Sequence, residues 1–234
     1  MPISRLVRLA AVSAALVIAV APRAHAQLGS SAFGPTVLDF EAFRGISSQG
    51  CGGNAIGSYG GLNWTNIGWA STLECGQADP PLGPNNGYSI GASSGVRVGY
   101  LMLPPGDDPF GALTGGFARP SGRFNLLDGW MTAAWTRRLH VTVTAYRGPT
   151  VAGVRTYTLD YDAPLFVTFG LLDIDRVQFD AAGGVIDWAL GGIGNNIVFD
   201  DLRVEDATNV VPEPATLWLL APGLGVLTLR RRRA

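Results

Sequence analysis

Glycine and proline divide this chain into short segments, and that division excludes most helical folds. The 234 residues include 32 glycines and 15 prolines that fall between short apolar runs, and no helical stripe of useful length or internal repeat is present. The clearest element is residues 139–146, where apolar and polar side chains alternate. A period of two places one face of a strand on a core and the other on water or a second layer. The sequence therefore predicts an all-β fold.

Seven further runs resemble this strand in composition, and turn residues separate them. Eight or more strands at this spacing predict a β-sandwich. Residues 147–150 (Arg-Gly-Pro-Thr) lie between two β-rich runs, and they predict a hairpin connection. The seven runs are 36–41, 96–103, 122–127, 154–161, 165–169, 176–180 and 197–204.

The N-terminus has the parts of a secretory signal. Two arginines precede an apolar stretch over residues 9–21, and Ala24 and Ala26 form the small-x-small pattern that signal peptidase cleaves. We predict that residues 1–26 are a signal peptide, so the chain is exported and begins at Gln27 after cleavage.

The C-terminus combines three signals in a fixed order. Pro212, Glu213 and Pro214 lead into an apolar run over residues 215–229, and four arginines follow it. As a helix the run would reach roughly 22 Å, which is shorter than a hydrocarbon layer of about 30 Å. It therefore predicts a weak, temporary membrane anchor with the arginines on the cytoplasmic side. The arginines are Arg230, Arg231, Arg232 and Arg233.

These three elements closely resemble the PEP-CTERM sorting signal of bacteria. The resemblance covers residues 211–234, and it implies that a membrane-embedded exosortase cuts near the Pro-Glu-Pro triplet. It also implies a transient single-pass anchor in the inner membrane and a final location at the cell surface or outside the cell. The product would belong to surface layers rich in exopolysaccharide.

Between the two signals, residues 27–210 are long enough for one domain with a substantial core. They contain 10 arginines and 17 acidic residues, which gives a net charge of about −7. Phosphate binding needs a basic face, so this charge argues against nucleic acid as a partner. An acidic exported domain could instead hold divalent cations.

The two cysteines, Cys51 and Cys75, both lie in the exported part. That compartment favours oxidation, so we predict a disulfide between them. It would close a loop of about 25 residues and stabilise the fold by roughly 3 kcal/mol in the chain-entropy model. A metal site is disfavoured because no histidine lies near them in the sequence.

Residues 36–206 also resemble the jelly-roll ectodomains of many PEP-CTERM proteins and of carbohydrate-binding modules. The resemblance is carried by residues 38–41 (Leu-Asp-Phe-Glu), 59–64 (Tyr-Gly-Gly-Leu-Asn-Trp) and 197–204 (Ile-Val-Phe-Asp-Asp-Leu-Arg-Val). It implies that the first and last strands lie side by side and that acidic residues from them bind a structural calcium ion.

One carboxylate in the last predicted strand supports a cation independently. Alternation places Asp200 on the same face as Val198 and Leu202. A buried carboxylate must be neutralised, hydrogen-bonded or bound to metal. The first interpretation is a calcium site, and the alternative is that Asp200 caps backbone amides while Asp201 is solvated. The candidate ligands are Asp39, Glu41, Asp200 and Asp201.

The exported part offers few catalytic groups, and we predict no catalytic residue. His140 lies in the middle of a predicted strand, opposite the apolar set. Residues 91–95 match G-x-S-x-G, but a nucleophile elbow needs a strand before it and a helix after it, and a strand-like segment follows here. Carboxylate pairs that could serve a glycosidase look the same as loop acids.

Aromatic residues favour binding over catalysis. Flat rings on a β-surface can stack on sugar rings, although each ring could equally fill the core. Three function classes stay open: a non-enzymatic surface or matrix protein associated with exopolysaccharide, a secreted carbohydrate-binding module, and a glycan or ester hydrolase. The candidate carbohydrate-binding residues are Tyr59, Trp64, Trp69 and Trp130.

Overall fold

Strands pair into two antiparallel sheets that pack face to face in this computed structural model, which describes residues 35–44, 54–75 and 85–207. The predicted all-β sandwich is confirmed. The described helices are α1 (Thr72–Cys75), α2 (Gly87–Ile90) and a 3₁₀ helix (Trp188–Leu190). The described strands are β1 (Thr36–Leu38), β2 (Asn54–Ala55), β3 (Ser58–Tyr59), β4 (Leu62–Thr65), β5 (Ile67–Ser71), β6 (Arg97–Leu101), β7 (Leu113–Ala118), β8 (Phe124–Ala133), β9 (Thr136–Arg137), β10 (Leu139–Arg147), β11 (Thr150–Leu159), β12 (Leu165–Ile174), β13 (Arg176–Ala182), β14 (Val185–Ile186) and β15 (Ile197–Asp206).

The first layer is a seven-stranded sheet in the order β12-β8-β15-β6-β5-β2, with β1 paired to β15. The second is a six-stranded sheet in the order β11-β10-β13-β7-β4-β3, and β14 and β9 form a small ribbon. From β6 onward the chain crosses repeatedly between the two layers, as in a jelly roll. The first and last described strands lie side by side, with Thr36 opposite Val204, so this expectation is confirmed.

The core lies between the two sheets. It includes fully buried phenylalanines from both layers, and the rings of Phe179 on β13 and Phe199 on β15 are 4.9 Å apart. Each such ring contributes about 1.5–3 kcal/mol by leaving water. The inward-facing residues of β10, among them Val141 and Val143, are buried as the alternation predicted.

A second apolar cluster lies on the outer face of the seven-stranded sheet, the face that points away from the six-stranded sheet. Tyr88 of α2 and Leu190 of the 3₁₀ helix pack there with Trp135 and Val198. The Asn86 side chain caps α2 by accepting the N–H groups of Tyr88 and Ser89. These segments therefore cover part of that face.

The hairpin predicted at residues 147–150 is confirmed, because Arg147 pairs with Thr150 and Gly148 has a φ of +56°. Among the strands of four residues or more, β4, β5 and β7 were not predicted. Each is rich in small or polar residues.

Several predictions concern residues outside those described. They are the signal peptide 1–26 with Ala24 and Ala26, the sorting segment 211–234, and Cys51. The Cys51–Cys75 disulfide therefore stays a prediction. Within residues 35–44, 54–75 and 85–207, no helix is both long and apolar enough to cross a membrane.

Candidate functional site

Two aromatic rings pack edge to face on the outer face of the seven-stranded sheet. Trp130 on β8 pairs in register with Phe166 on β12, and their ring centroids are 5.4 Å apart at an interplanar angle of 64°. Trp130 is half-buried, whereas Phe166 is 51% exposed. The pair presents apolar surface to solvent on two long strands.

Strand alternation fixes this orientation. The neighbours of the two rings, Met131 and Val167, are buried in the core between the sheets, so Trp130 and Phe166 must point to the outer face. The strands supply a rigid backbone, which keeps the ordering cost of binding low.

A polar row borders the aromatic pair. Thr168 on β12 is in register with Asp128 on β8, which is in register with Arg203 on β15. Arg203 and Asp128 form an ion pair, and the Asp128 side chain is only 14% exposed. We call Phe166, Trp130, Thr168, Asp128 and Arg203 the outer patch.

A loop anchored by Asp200 borders the outer patch. Asp200 on β15 is in register with Trp130, and its Oδ2 accepts the backbone N–H groups of Ser93 and Ser94 at 2.7 and 2.9 Å. The hydroxyls of both serines donate to Asp201 at 2.6 and 2.7 Å. The loop before β6 is therefore held against β15.

A break in β15 determines which way Asp200 points. Asp201 has a φ of +48°, and the pairing of β15 with β8 shifts register beyond Asp200. Val198 packs in the outer cluster, whereas Leu202 and Val204 lie in the core between the sheets. The prediction that Asp200 is buried is confirmed, since it is 0% exposed. The prediction that it shares a face with Leu202 is wrong, because the bulge reverses the alternation.

Burial raises the pKa of Asp200 to about 6, and the nearby charge of Asp201 adds to the shift. Hydrogen bonds from Ser94, Asp201 and Ser93 to the carboxylate oppose it. The site thus holds a carboxylate that changes charge near neutral pH.

The other two predicted ligands lie just after β1. Glu41 Oε1 accepts the N–H groups of Val96 and Arg97 at 2.7 and 2.6 Å. Asp39 Oδ1 accepts the Glu41 N–H at 3.1 Å and the Tyr59 hydroxyl at 3.2 Å. Both carboxylates therefore bind protein donors.

These contacts match the alternative interpretation, in which Asp200 caps backbone amides. Among the residues that the structure describes, no group of three or more acidic, histidine or cysteine side chains is arranged to hold a metal ion. The calcium site at Asp39, Glu41, Asp200 and Asp201 stays a prediction. A chelator that lowers the melting temperature would support it, and an unchanged melting curve would remove it.

Two of the four predicted carbohydrate-binding aromatics are buried, and the other two, Tyr59 and Trp130, are half-buried. Trp64 and Trp69 are 7% and 6% exposed in the core, so the prediction that they stack on sugars is wrong. Tyr59 is half-buried, and its hydroxyl accepts the Phe40 N–H while it donates to Asp39. Burial raises its pKa to about 12. Tyr59 packs against the core, whereas Trp130 lies beside the exposed Phe166 ring, so Trp130 keeps the candidate role.

The candidate catalytic patterns are separate from one another. His140 is exposed on β10 in the six-stranded sheet. The segment 91–95 is a loop between α2 and β6, and its Ser93 hydroxyl binds Asp200 and Asp201. A strand, β6, follows the segment, as the sequence predicted.

Sequence analysis missed Phe166 as a site residue. It lies in a strand that was predicted, but only the pairing of β12 with β8 brings it beside Trp130. Cross-strand register cannot be read from either strand alone.

Comparisons with known proteins identify one motif. Residues 210–233 match the PEP-CTERM protein-sorting motif, so the predicted sorting signal is confirmed. A comparison with curated proteins gives no match.

The solved structures that match part of this chain include carbohydrate-binding modules and one enzyme domain. A family 61 module in complex with beta-1,4-galactotriose has 9% identity and a TM-score of 0.32, over 64% of this chain and 91% of that chain. A family 29 module has 19% identity and a TM-score of 0.30, over 50% and 77%. The enzymatically active domain of a bacteriophage CBA120 tailspike protein has 9% identity and a TM-score of 0.31, over 63% and 20%. At these scores, a function for this chain must be argued from its own residues.

Proposed function

We propose that this protein is exported, processed by an exosortase, and delivered to the cell surface or the extracellular matrix. The match of residues 210–233 to the sorting motif carries this proposal. The predicted signal peptide 1–26 supplies the export step, with signal peptidase as the first partner and the inner membrane as a transient one.

At its destination the sandwich acts as a non-enzymatic protein that binds polysaccharide, including exopolysaccharide, through the outer patch. The observation that supports binding is the exposed Phe166 ring beside Trp130. Such rings can cover the apolar face of a sugar ring, while Asp128, Arg203 and Thr168 supply hydrogen-bonding groups for hydroxyls.

The sorting step is tested by replacing Pro212, Glu213 and Pro214 with alanine. The wild-type chain should lose its C-terminal segment, and the variant should remain as an uncleaved precursor in the inner membrane. Replacing Pro104 and Pro105 with alanine is a matched control outside the motif. Mass spectrometry of the C-terminus from native cells measures the result, and identical processing of motif variant and wild type would refute the proposal.

The binding step is tested with protein purified from cells that produce the full-length chain. Affinity electrophoresis in galactan, β-glucan, xyloglucan and mannan should show retardation by at least one polymer. Trp130→Ala and Phe166→Ala should each weaken the retardation, while the control Leu172→Ala, which removes another exposed side chain of β12, should not. Retardation as strong as that of wild type in both aromatic variants would exclude the outer patch.

A further inference from the structure

A second pair of exposed rings lies where the β6–β7 connection meets the 3₁₀ helix. The ring centroids of Phe110 and Trp188 are 6.2 Å apart at an angle of 52°. Phe110 is 55% exposed, and Trp188 is 68% exposed, more than any other large apolar side chain that the structure describes. Most side chains of this size are buried, so two adjacent exposed rings indicate a binding surface.

The backbone that carries Phe110 is held in place. Its N–H donates to Asp108 Oδ1 at 2.9 Å, and its carbonyl accepts the side-chain amide of Asn195 at 3.3 Å. The same amide donates to the Gly111 carbonyl at 2.8 Å, and Asn195 is buried. The ring is therefore presented from a fixed loop.

The backbone that carries Trp188 is fixed in the same way. Asp187 caps the 3₁₀ helix by accepting the Ala189 N–H at 3.1 Å, and Gly191 ends it with a φ of +74°. Leu190 anchors the helix in the outer apolar cluster. Because both backbones are already ordered, a ligand would meet a preformed pair of rings.

Polar groups in fixed positions adjoin this pair. The Tyr161 hydroxyl donates to Asp187 Oδ2 at 2.8 Å. Arg137 lies over the Tyr161 ring at 4.5 Å and donates to Asp162 at 2.7 Å. Planar donors and acceptors beside exposed rings match the mixed apolar and hydroxyl surface of a sugar.

Charge selects among the possible ligands. Arg137 is paired with Asp162, and the carboxylates of Asp108 and Asp187, which accept N–H groups of the two segments that carry the rings, add negative charge there. An anionic polymer or an anionic lipid surface would be repelled. A neutral polysaccharide would not be, and its hydroxyls can donate to these carboxylates.

We propose that Phe110 and Trp188 form a second binding surface for neutral polysaccharide, so that one sandwich binds polysaccharide at two places. This inference rests on the proposed function. The Asp187 N–H donates to the Trp135 carbonyl at 3.0 Å. Trp135 is five residues along the chain from Trp130, so their Cα atoms are at most roughly 17 Å apart. A long chain could occupy both surfaces, or two chains could be joined.

The test counts binding sites by isothermal titration calorimetry with neutral tetrasaccharides of galactose, glucose, mannose and xylose. Wild type should bind two molecules per chain. The double variant Phe110→Ala/Trp188→Ala should bind one, the double variant Trp130→Ala/Phe166→Ala should bind one, and the quadruple variant none. Val151→Ala, which removes an exposed side chain of β11, should behave as wild type.

Affinity for the corresponding polymer should fall by at least about tenfold in each double variant, because linked sites reinforce one another. A single site that needs Trp130 and not Trp188 would overturn the second surface and leave the proposed function intact. Absence of binding in wild type would overturn both. A wild-type dimer in sedimentation velocity that Trp188→Ala converts to monomer would also overturn the inference, because a second copy of the chain would then cover the rings.

Discussion

Asp200 Oδ2 accepts the backbone N–H of Ser94 at 2.9 Å, which joins the last strand to a loop 106 residues earlier in the chain. Glu41, just after β1, accepts the N–H groups of Val96 and Arg97 in the same loop. Since β1 and β15 are paired, an acid on β15 and an acid just after β1 hold the same segment.

Removing the Asp200 carboxylate should destabilise the fold. Asp200→Ala leaves the N–H groups of Ser93, Ser94 and Asp201 without this acceptor, and we expect the free energy of unfolding to fall by about 2–3 kcal/mol. Urea denaturation measures the change. Ser93→Ala, which removes one hydroxyl donor, should cost about 1 kcal/mol. Equal stability of Asp200→Ala and wild type would contradict the role of this carboxylate.

The contribution of Asp200 should depend on pH in a defined direction. Its pKa is raised from 3.8 to about 6, so the native state binds more protons than the unfolded state between these values. The contribution is greatest below about pH 4 and is lost as the pH rises through 6. The stability difference between wild type and Asp200→Asn should be about 1 kcal/mol larger at pH 5 than at pH 7.

Asp187 provides an internal comparison for this measurement. Hydrogen bonds from Tyr161 and Ala189 lower its pKa below 3.8, so its contribution is present above that value and is lost only at lower pH. The contribution of Asp187 to the free energy of unfolding should not change between pH 5 and pH 7. If the stability difference between wild type and Asp200→Asn is the same at both pH values, the raised pKa of Asp200 is refuted.

The loss of stability on replacing a tryptophan should depend on whether its ring lies in the core or on the outer face. Trp64→Ala and Trp69→Ala should each cost about 3–5 kcal/mol, because both rings fill the core. Trp130→Ala, on the outer face, should cost about 1 kcal/mol. Thermal and urea unfolding measure the difference. A Trp64→Ala variant as stable as Trp130→Ala would place that ring outside the core.

Gly116 on β7 should not tolerate a side chain. A Cβ atom there would lie 2.1 Å from the Val177 carbonyl oxygen on the paired strand, so Gly116→Ala should lower the free energy of unfolding by about 2–3 kcal/mol. Gly57→Ala is the control, because a Cβ atom at Gly57 meets nothing within 4 Å. It should change stability by less than about 0.5 kcal/mol.

The predicted disulfide can be tested directly. Non-reducing peptide mapping of the exported protein should find Cys51 and Cys75 linked. Reduction should lower the free energy of unfolding by roughly 3 kcal/mol, the value expected for a loop of about 25 residues. Two free thiols in protein from native cells would exclude it.

The sequence predicted the strands that have a clear alternating pattern, such as β10, because burial on one face leaves a period of two. It missed β7, whose Gly115 and Gly116 have low strand propensity. At Gly116 the backbone of the paired strand β13 approaches too closely for a side chain, so the pairing of the two strands requires glycine there. Such tertiary causes leave no local pattern.

The site was predicted only in part for similar reasons. Trp130 and the burial of Asp200 could be inferred from composition and alternation. The bulge at Asp201 could not, because a non-glycine residue with positive φ carries no distinct sequence signal. The pairing of Trp130 with Phe166 depends on register between strands that are distant in sequence.

The pairing of β15 on both sides also has a mechanical consequence. The last described strand lies between β8 on one side and β6 and β1 on the other. A pulling force transmitted through a C-terminal attachment would load these ladders in shear, so many backbone hydrogen bonds would have to rupture together. The domain is therefore built to withstand tension applied from that end.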